Sequence, residues 1–444
     1  MAIQLSDHFT YRRLLRFTLP SMAMMVFTSI YSVVDGFFVS NFAGKIPFTA
    51  VNLIYPLLMI LATVGCMFGT GGSAVVAKAL GEGDPRRANE SFSLIVYTAL
   101  GLGVVLAALG FLFLRPIAVF LGAEGEVLDC CVLYGRIILT VLPFFVSQLL
   151  FQSFFITAER PRLVLLNSVS AGVTNMVLDA VLIPLLPMAY KLTGAAVASA
   201  MSMVVGGTIP LVYFSRRNTS LLRFGRPVLR GRVLSRAAAN GSSEFMSNVS
   251  MNLMAMLYNF QLLRYAGEDG VAAYGVMMYV SFIFASIFIG YTIGTGPVMS
   301  FHDGAGNYGE LKGLLRKSHV LILSFSVAMA VAAEALARPL GLLFVGYDAA
   351  LLALTVSGFR IFALAFLFMG FAIFTSGFFT ALNDGLTSAL ISFLRTLAFE
   401  TTAVLLLPRF FQVEGIWASI VAAEGMAALL SVAFLLAKRK AHHY

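Results

Sequence analysis

The chain has 444 residues, of which 59% are hydrophobic and only 11% charged, with a formal net charge of +9 and a mean hydropathy of +0.90. A soluble globular chain is about a quarter charged, so this composition excludes one and points to a polytopic membrane protein. Cys66, Cys130 and Cys131 make neither a disulfide framework nor a metal spacing, and the sequence has no Walker A run and no His-Glu-x-x-His.

The apolar runs are near twenty residues, the length of a helical span and about twice that of a barrel strand. Twelve spans are predicted, at residues 17–40, 48–77, 91–114, 131–157, 163–187, 193–214, 237–263, 271–299, 318–337, 351–380, 386–407 and 415–437. Arg12, Arg13 and Arg16 precede a first run too long for a signal-peptide core and lacking a small-residue cleavage site. With the N-terminus inside, most of the 30 Lys and Arg fall in cytoplasmic segments, among them Lys78, Arg86, Arg87, Arg160, Arg162, Lys312, Arg316, Lys317 and the Lys438–Lys440 run. Only Lys45, Arg115, Lys191, Arg264, Arg338 and Arg409 fall outside. This asymmetry places both termini in the cytoplasm and accounts for the positive charge without nucleic acid. The five histidines are expected in tails and loops. The arginine-rich stretch 216–236, with Arg216, Arg217, Gly225, Pro227 and Gly231, reads as a linker between a lobe at 1–215 and a lobe at 237–444.

The two halves repeat at an offset of 223. Gly71 matches Gly294; Gly81 and Gly83 match Gly304 and Gly306; Arg115-Pro116 matches Arg338-Pro339; Gly135 matches Gly358. Ser153, Phe155, Thr157 and Ala158 match Ser376, Phe378, Thr380 and Ala381. An even number of spans per half makes a parallel repeat about an axis along the membrane normal, with substrate expected between the halves near the midplane.

In the first span, Pro20 lies fifteen residues before Asp35. An ionisable group at membrane depth is costly and marks function by default, and a proline there can leave a carbonyl free and form a bend point. Asp35 is 19 residues beyond Arg16 and Asp179 is 17 beyond Arg162, so both sit roughly 26–28 Å past those anchors. Asn175 is one turn before Asp179 and Tyr31 one turn before Asp35, which gives two carboxylates, an amide and a phenol at one level. Carboxylates shielded from water and close together hold a proton more readily than in water. The same oxygens of Asp35, Asn175 and Asp179 are also able to hold Na⁺, so the coupling ion is H⁺ or Na⁺, with H⁺ preferred; no other metal or cofactor is expected. Glu244 in the seventh span is a secondary coupling candidate or an interfacial acid. Arg395 is expected to pair with Glu400 or Glu424, and Arg136 and Arg360 to snorkel or pair. Gln148, Gln152, Phe154 and Phe155 in the fourth span are candidate walls of a cavity for lipophilic cations.

Pro20 with Asp35, Gly-Glu-Gly-Asp-Pro-Arg-Arg-Ala (81–88), Ala-Glu-Arg-Pro-Arg (158–162) and Gly-Ser-Ser-Glu-Phe (241–245), in this order across twelve spans, resemble the multidrug and toxic compound extrusion (MATE) transporters. The resemblance covers nearly the whole chain. It implies an all-α integral membrane protein of two six-helix lobes related by a pseudo-two-fold, V-shaped, in the inner membrane, that expels organic cations in exchange for H⁺ or Na⁺. Asp35 matches the family's first-helix aspartate, Asn175 and Asp179 its fifth-helix Asn-x-x-x-Asp, and Glu244 its seventh-helix acid. The branch with a second-lobe Na⁺ site also has an acid in helix ten; residues 351–380 contain none, so the prokaryotic branch with a first-lobe site fits better.

The expected partners are therefore small lipophilic cations and the bilayer, and the chain reads as a monomer. A flippase for a lipid-linked envelope precursor is the alternative, but its pyrophosphate would want an Arg or Lys cluster in the cavity, and the spans hold only scattered Arg136, Arg360 and Arg395. An intramembrane enzyme would need a metal or nucleophile constellation that the sequence does not offer.

Overall fold

All regular elements among the described residues are helical. The computed structural model describes residues 3–216, 218–346 and 348–444, with the side chains of Phe37, Ser40, Asn41, Lys45 and Glu268 excepted. Arg217 of the linker stretch and the side chain of Lys45, a topology marker, lie outside the described residues. In chain order the helices are α1 (Tyr11–Phe38), α2 (Lys45–Gly81), α3 (Pro85–Phe120), α4 (Gly125–Thr140), α5 (Leu142–Thr157), α6 (Pro161–Leu185) and α7 (Lys191–Ser215). Then follow α8 (Gly231–Gly304), α9 (Tyr308–Val345), α10 (Ala349–Ala363), α11 (Phe366–Ala381), α12 (Gly385–Phe393), α13 (Glu400–Leu406) and α14 (Pro408–His442). A π-helical segment, Leu394–Phe399, joins α12 to α13.

Nine helices among the described residues are long and apolar enough to cross a membrane, and two bent pairs bring the number to eleven. The twelfth expected span is the first limb of α8, before the break at Gly267, where Asn240, Glu244, Asn248 and Asn252 dilute the apolar character. The expected straight spans 131–157 and 351–380 are both bent: α4 meets α5 at 59° and α10 meets α11 at 48°. Pro143 at the start of α5 explains the first bend, because it has no N–H to continue the ladder. The second bend, at Leu364 and Ala365, has no proline and tightens instead through i→i+3 bonds to Ile361 and Phe362.

The repeat seen in the sequence is present in the backbone. Gly83 and Gly306 both take the left-handed conformation, at φ +77° and +67°, where a side chain would be strained. The residues that follow, Asp84 and Asn307, both cap the next helix by accepting a backbone N–H, from Arg87 and Glu310. Contacts across the two halves are reciprocal at the same offset. A Cβ on Gly81 would overlap the Phe301 carbonyl, and one on Gly304 would overlap the Lys78 carbonyl. Gly71 lies against Gly241, and Gly294 against Thr18. Glycine at these positions lets the backbones touch, the packing device of membrane helices.

These contacts draw the halves together at the end of the bundle that carries both chain termini. Lys78 Nζ meets Asp303 Oδ2 there at 2.7 Å. The N-terminal segment crosses the same end: Leu5 N–H donates to Glu159 Oε1 at 2.7 Å, and Phe9 N–H donates to Glu310 Oε1 at 2.9 Å. Leu5 and Phe9 are fully buried. The segment between α7 and α8 lies along α3, with Arg223 N–H donating to Asn89 Oδ1 at 2.6 Å, Gly225 N–H to Ser93 Oγ at 2.9 Å, and Phe224 stacked on Phe92 and Tyr97.

Candidate functional site

Helix α1 is wedged between α6 and α8. On one side, Gly172 of α6 leaves room for the Phe27 and Tyr31 rings, which a Cβ would meet at 2.5 and 3.0 Å. On the other, Gly290 lies against Met22, and Ser29 hydrogen-bonds Ser286. Pro20 sits inside α1 without interrupting it. Its missing N–H leaves the Arg16 carbonyl without its usual helical partner.

Asn167, Ala171, Asn175 and Asp179 recur every four residues on the buried face of α6, as helical periodicity requires. This brings Asp179 and Asn175 within hydrogen-bonding reach of the Asp35 carboxylate on α1. Asp179 is fully buried and Asn175 is 2% exposed, while Asp35 is half-buried in front of them. No donor serves Asp35 Oδ1, Asn175 Oδ1 or either oxygen of Asp179. Ionised carboxylates only accept hydrogen bonds, so two of them facing one another are incomplete without a proton or another cation.

Tyr31 lies beside Asp35, as its spacing predicts, and two further phenols join it from elements remote in sequence: Tyr55 of α2 and Tyr134 of α4. Tyr134 is 2% exposed and faces Ser199 of α7. Sequence reasoning missed Tyr55, Tyr134 and Ser199. A tyrosine within an apolar span is the only local signal for the first two, and Ser199 has none.

The other candidates are placed apart from this pair. Glu244 is half-buried on the first limb of α8 and faces Cys66 of α2, on the inner side between the halves. Gln148 is 6% exposed and packs on Gly206 of α7, with its Oε1 unpartnered, and Gln152 is half-buried. Phe154 and Phe155 do not line a cavity here. They are 0% and 1% exposed, inside an aromatic core with Phe92, Phe151 and Phe214. Their alternation with the glutamines reflects two buried faces of one helix.

Two smaller expectations also change. His319 is inside α9 rather than in a loop, stacked on Phe371 with its Nε2 unpartnered. His302 closes α8, 2% exposed. The Arg395 guanidinium takes Glu424 rather than Glu400 as its direct partner, at 2.7 Å. Arg360 pairs loosely with Glu334 at 3.5 Å. No group of three or more His, Cys, Asp or Glu suited to a metal ion occurs among the described residues.

Comparison with known proteins bears on the fold and the family. The MatE family model matches residues 20–181 and 245–401. Two multidrug export proteins MepA are similar along the chain. That of Staphylococcus haemolyticus (strain JCSC1435) is 25% identical over 324 residues, 72% of this chain and 70% of its own length. That of Staphylococcus saprophyticus is 22% identical over 441 residues, 97% and 94% respectively. A structure described as the outward-facing conformation of a multidrug resistance MATE family transporter of the MOP superfamily superposes with a TM-score of 0.93 at 20% identity, covering 100% of this chain and 98% of that one. A MATE in complex with MaL6 gives 0.92 at 20% identity, with 98% of each chain covered.

Proposed function

This chain belongs to the MatE family, a family of membrane transporters rather than enzymes, and on that premise we propose that it exports lipophilic organic cations in exchange for protons. It works as a monomer in the inner membrane. Its lobes, 1–215 and 237–444, are joined by the linker 216–236, and both termini are cytoplasmic. The relatives named for multidrug export support the substrate class.

One observation carries the coupling reading. Asp35 and Asp179 face each other from α1 and α6 with no donor between them. One proton bound between them turns two opposed acceptors into a donor and an acceptor. Asn175 and Tyr31 orient the pair. The half-buried Asp35 is the oxygen that meets water, and the fully buried Asp179 is the partner behind it. Helix α1 is the moving part, because Pro20 weakens its ladder and Asp35 rides on the same segment. Proton uptake at the pair removes a repulsion between α1 and α6, draws the two helices together, and biases α1 between two positions, which is the requirement for coupling. The glycine contacts that close the terminal end support an outward-open resting form, with the cytoplasmic side shut.

Ethidium export from drug-sensitive cells tests this reading. Export is expected to stop when the proton gradient is collapsed and to ignore Na⁺. Asp35→Asn and Asp179→Asn are each expected to abolish export while the protein still inserts. Normal export by either variant refutes the mechanism. Dependence on Na⁺ instead makes Asp35, Asn175 and Asp179 a sodium site.

A further inference from the structure

The second half holds a buried ionisable cluster that the Asp35–Asp179 pair does not use. It is built on the π-helical segment Leu394–Phe399. In an α-helix, residues five apart point about 140° away from one another, at about 100° per residue. In the wider i→i+5 turn of a π-helix they come onto the same face. The segment therefore turns Arg395 and Glu400 to the same side.

There Arg395 donates three hydrogen bonds to the Glu424 carboxylate of α14, at 2.7, 2.8 and 3.0 Å. Their side chains are 16% and 6% exposed. The guanidinium and Glu424 thus satisfy each other. Glu400 is the carboxylate left over. The groups facing it are Glu424 and Arg395 of this pair and two tyrosines of α8, Tyr258 and Tyr274. The tyrosine rings stack at 5.1 Å and 10°.

Two buried polar atoms of α8, at or beside this cluster, lack a well-formed hydrogen bond. The Tyr258 side chain is 2% exposed and its hydroxyl lies within hydrogen-bonding reach of the Glu400 carboxylate, without a well-formed bond to it. Gln261, nearly one turn on, spends its Nε2 on the Val404 carbonyl at 3.1 Å and leaves Oε1 unpartnered, at 5% residue exposure. A buried polar group without a partner costs free energy and calls for a ligand or an ion.

The position is meaningful within the repeat. Tyr258 is the counterpart of Asp35 at the offset of 223, the register in which Gly71 meets Gly241 and Gly294 meets Thr18. The span of Glu400, the eleventh, is the counterpart of the span of Asp179, the fifth. The second half therefore builds a polar site at the place where the first half has its aspartate pair, with a phenol in place of one acid.

We propose that Glu400 is a second proton-binding site of this transporter, set by Tyr258 and insulated by the Arg395–Glu424 pair. The inference rests on the proton-coupled reading above and extends it to the second half. A proton fits where a metal ion does not, because the Arg395 guanidinium inside the cluster repels a second fixed cation. Two carboxylates against one guanidinium leave one negative charge, and a proton on Glu400 neutralises it. Glu424 is sealed, whereas Glu400 is half-buried and keeps a path for exchange.

Infrared difference spectra of the purified protein test the assignment, taken between about pH 6 and about pH 9, above the ordinary carboxylate range. An Asp35→Asn, Asp179→Asn background silences the first pair. A carbonyl band of a titrating carboxyl is expected to persist in that background and to vanish on adding Glu400→Gln. Absence of any such band in the background, or its survival in Glu400→Gln, overturns the proposal. If Glu400→Gln fails to accumulate, Glu400→Asp keeps the carboxyl and is expected to shift the band; an unshifted band also overturns it. Ethidium export reads the first-half mechanism separately, so failure of export and failure of the Glu400 assignment are distinguishable.

Discussion

Adding one methyl group at Gly81 or Gly304 is expected to loosen the closed end of the bundle. Each Cβ would overlap a backbone carbonyl of the opposite half, Phe301 for Gly81 and Lys78 for Gly304. A backbone atom cannot rotate aside as a side chain can, so the helices must separate. Both glycines are the last residues of their helices, α2 and α8, so alanine recovers little helix propensity. The cost is that of overpacking, about 1–3 kcal/mol. Relative to a state in which this end is open, that shifts the population by about 5–150-fold. Since the two contacts are reciprocal, one separation relieves both, and the double variant is expected to cost clearly less than the sum. A single cysteine at buried Ser300, in a background without Cys66, Cys130 and Cys131, reports the opening as its rate of maleimide labelling. Unchanged labelling in Gly81→Ala, or strictly additive effects in the double variant, refutes the reasoning.

Breaking the Arg395–Glu424 pair by Arg395→Leu is expected to destabilise the protein by about 3–5 kcal/mol, because the buried Glu424 carboxylate loses its partner; thermal unfolding followed by size-exclusion chromatography reads it, and adding Glu424→Gln is expected to recover much of the loss. At the loop before α12, burial would raise the carboxyl of Asp384, but the Thr387 hydroxyl and N–H, Lys438 and His442 together hold it below the usual range. A carboxyl so lowered stabilises the fold above its unfolded value and loses that contribution as pH falls through its folded one. Asp384→Asn is therefore expected to flatten the decline of melting temperature at acid pH, and an identical profile in the variant counts against the role of this anchor.

Much of the fold was legible because membrane helices obey length and periodicity, and because a repeated half gives every local signal twice. Gly83 and Gly306 are the clearest case: both were paired from the sequence, and both adopt the same left-handed turn. The neighbourhood of Asp35, Asn175 and Asp179 followed from depth and from helical spacing. Tyr134 and Ser199 did not, since they reach the site only through the packing of α4 and α7. The bends at Val141 and Leu364 were hidden for a related reason: an apolar run of bridging length looks the same straight or bent, and only the first has a proline beside it. Phe154 and Phe155 were misread because composition cannot distinguish an aromatic that lines a cavity from one that fills a core. The π segment that aims Glu400 leaves no mark in a pattern read at 3.6 residues per turn.

The linker has a mechanical consequence. Arg223, Phe224 and Gly225 are fastened to α3, and Arg230 holds Glu90 at 3.2 Å immediately before α8 begins. A connection of this kind is a pivot rather than a leash. Most of it is held to α3, which leaves the few residues around Pro227–Gly231 to absorb any rotation of one half against the other. A connection anchored so close to its exit ties the start of α8 to α3, unlike a loose tether between domains.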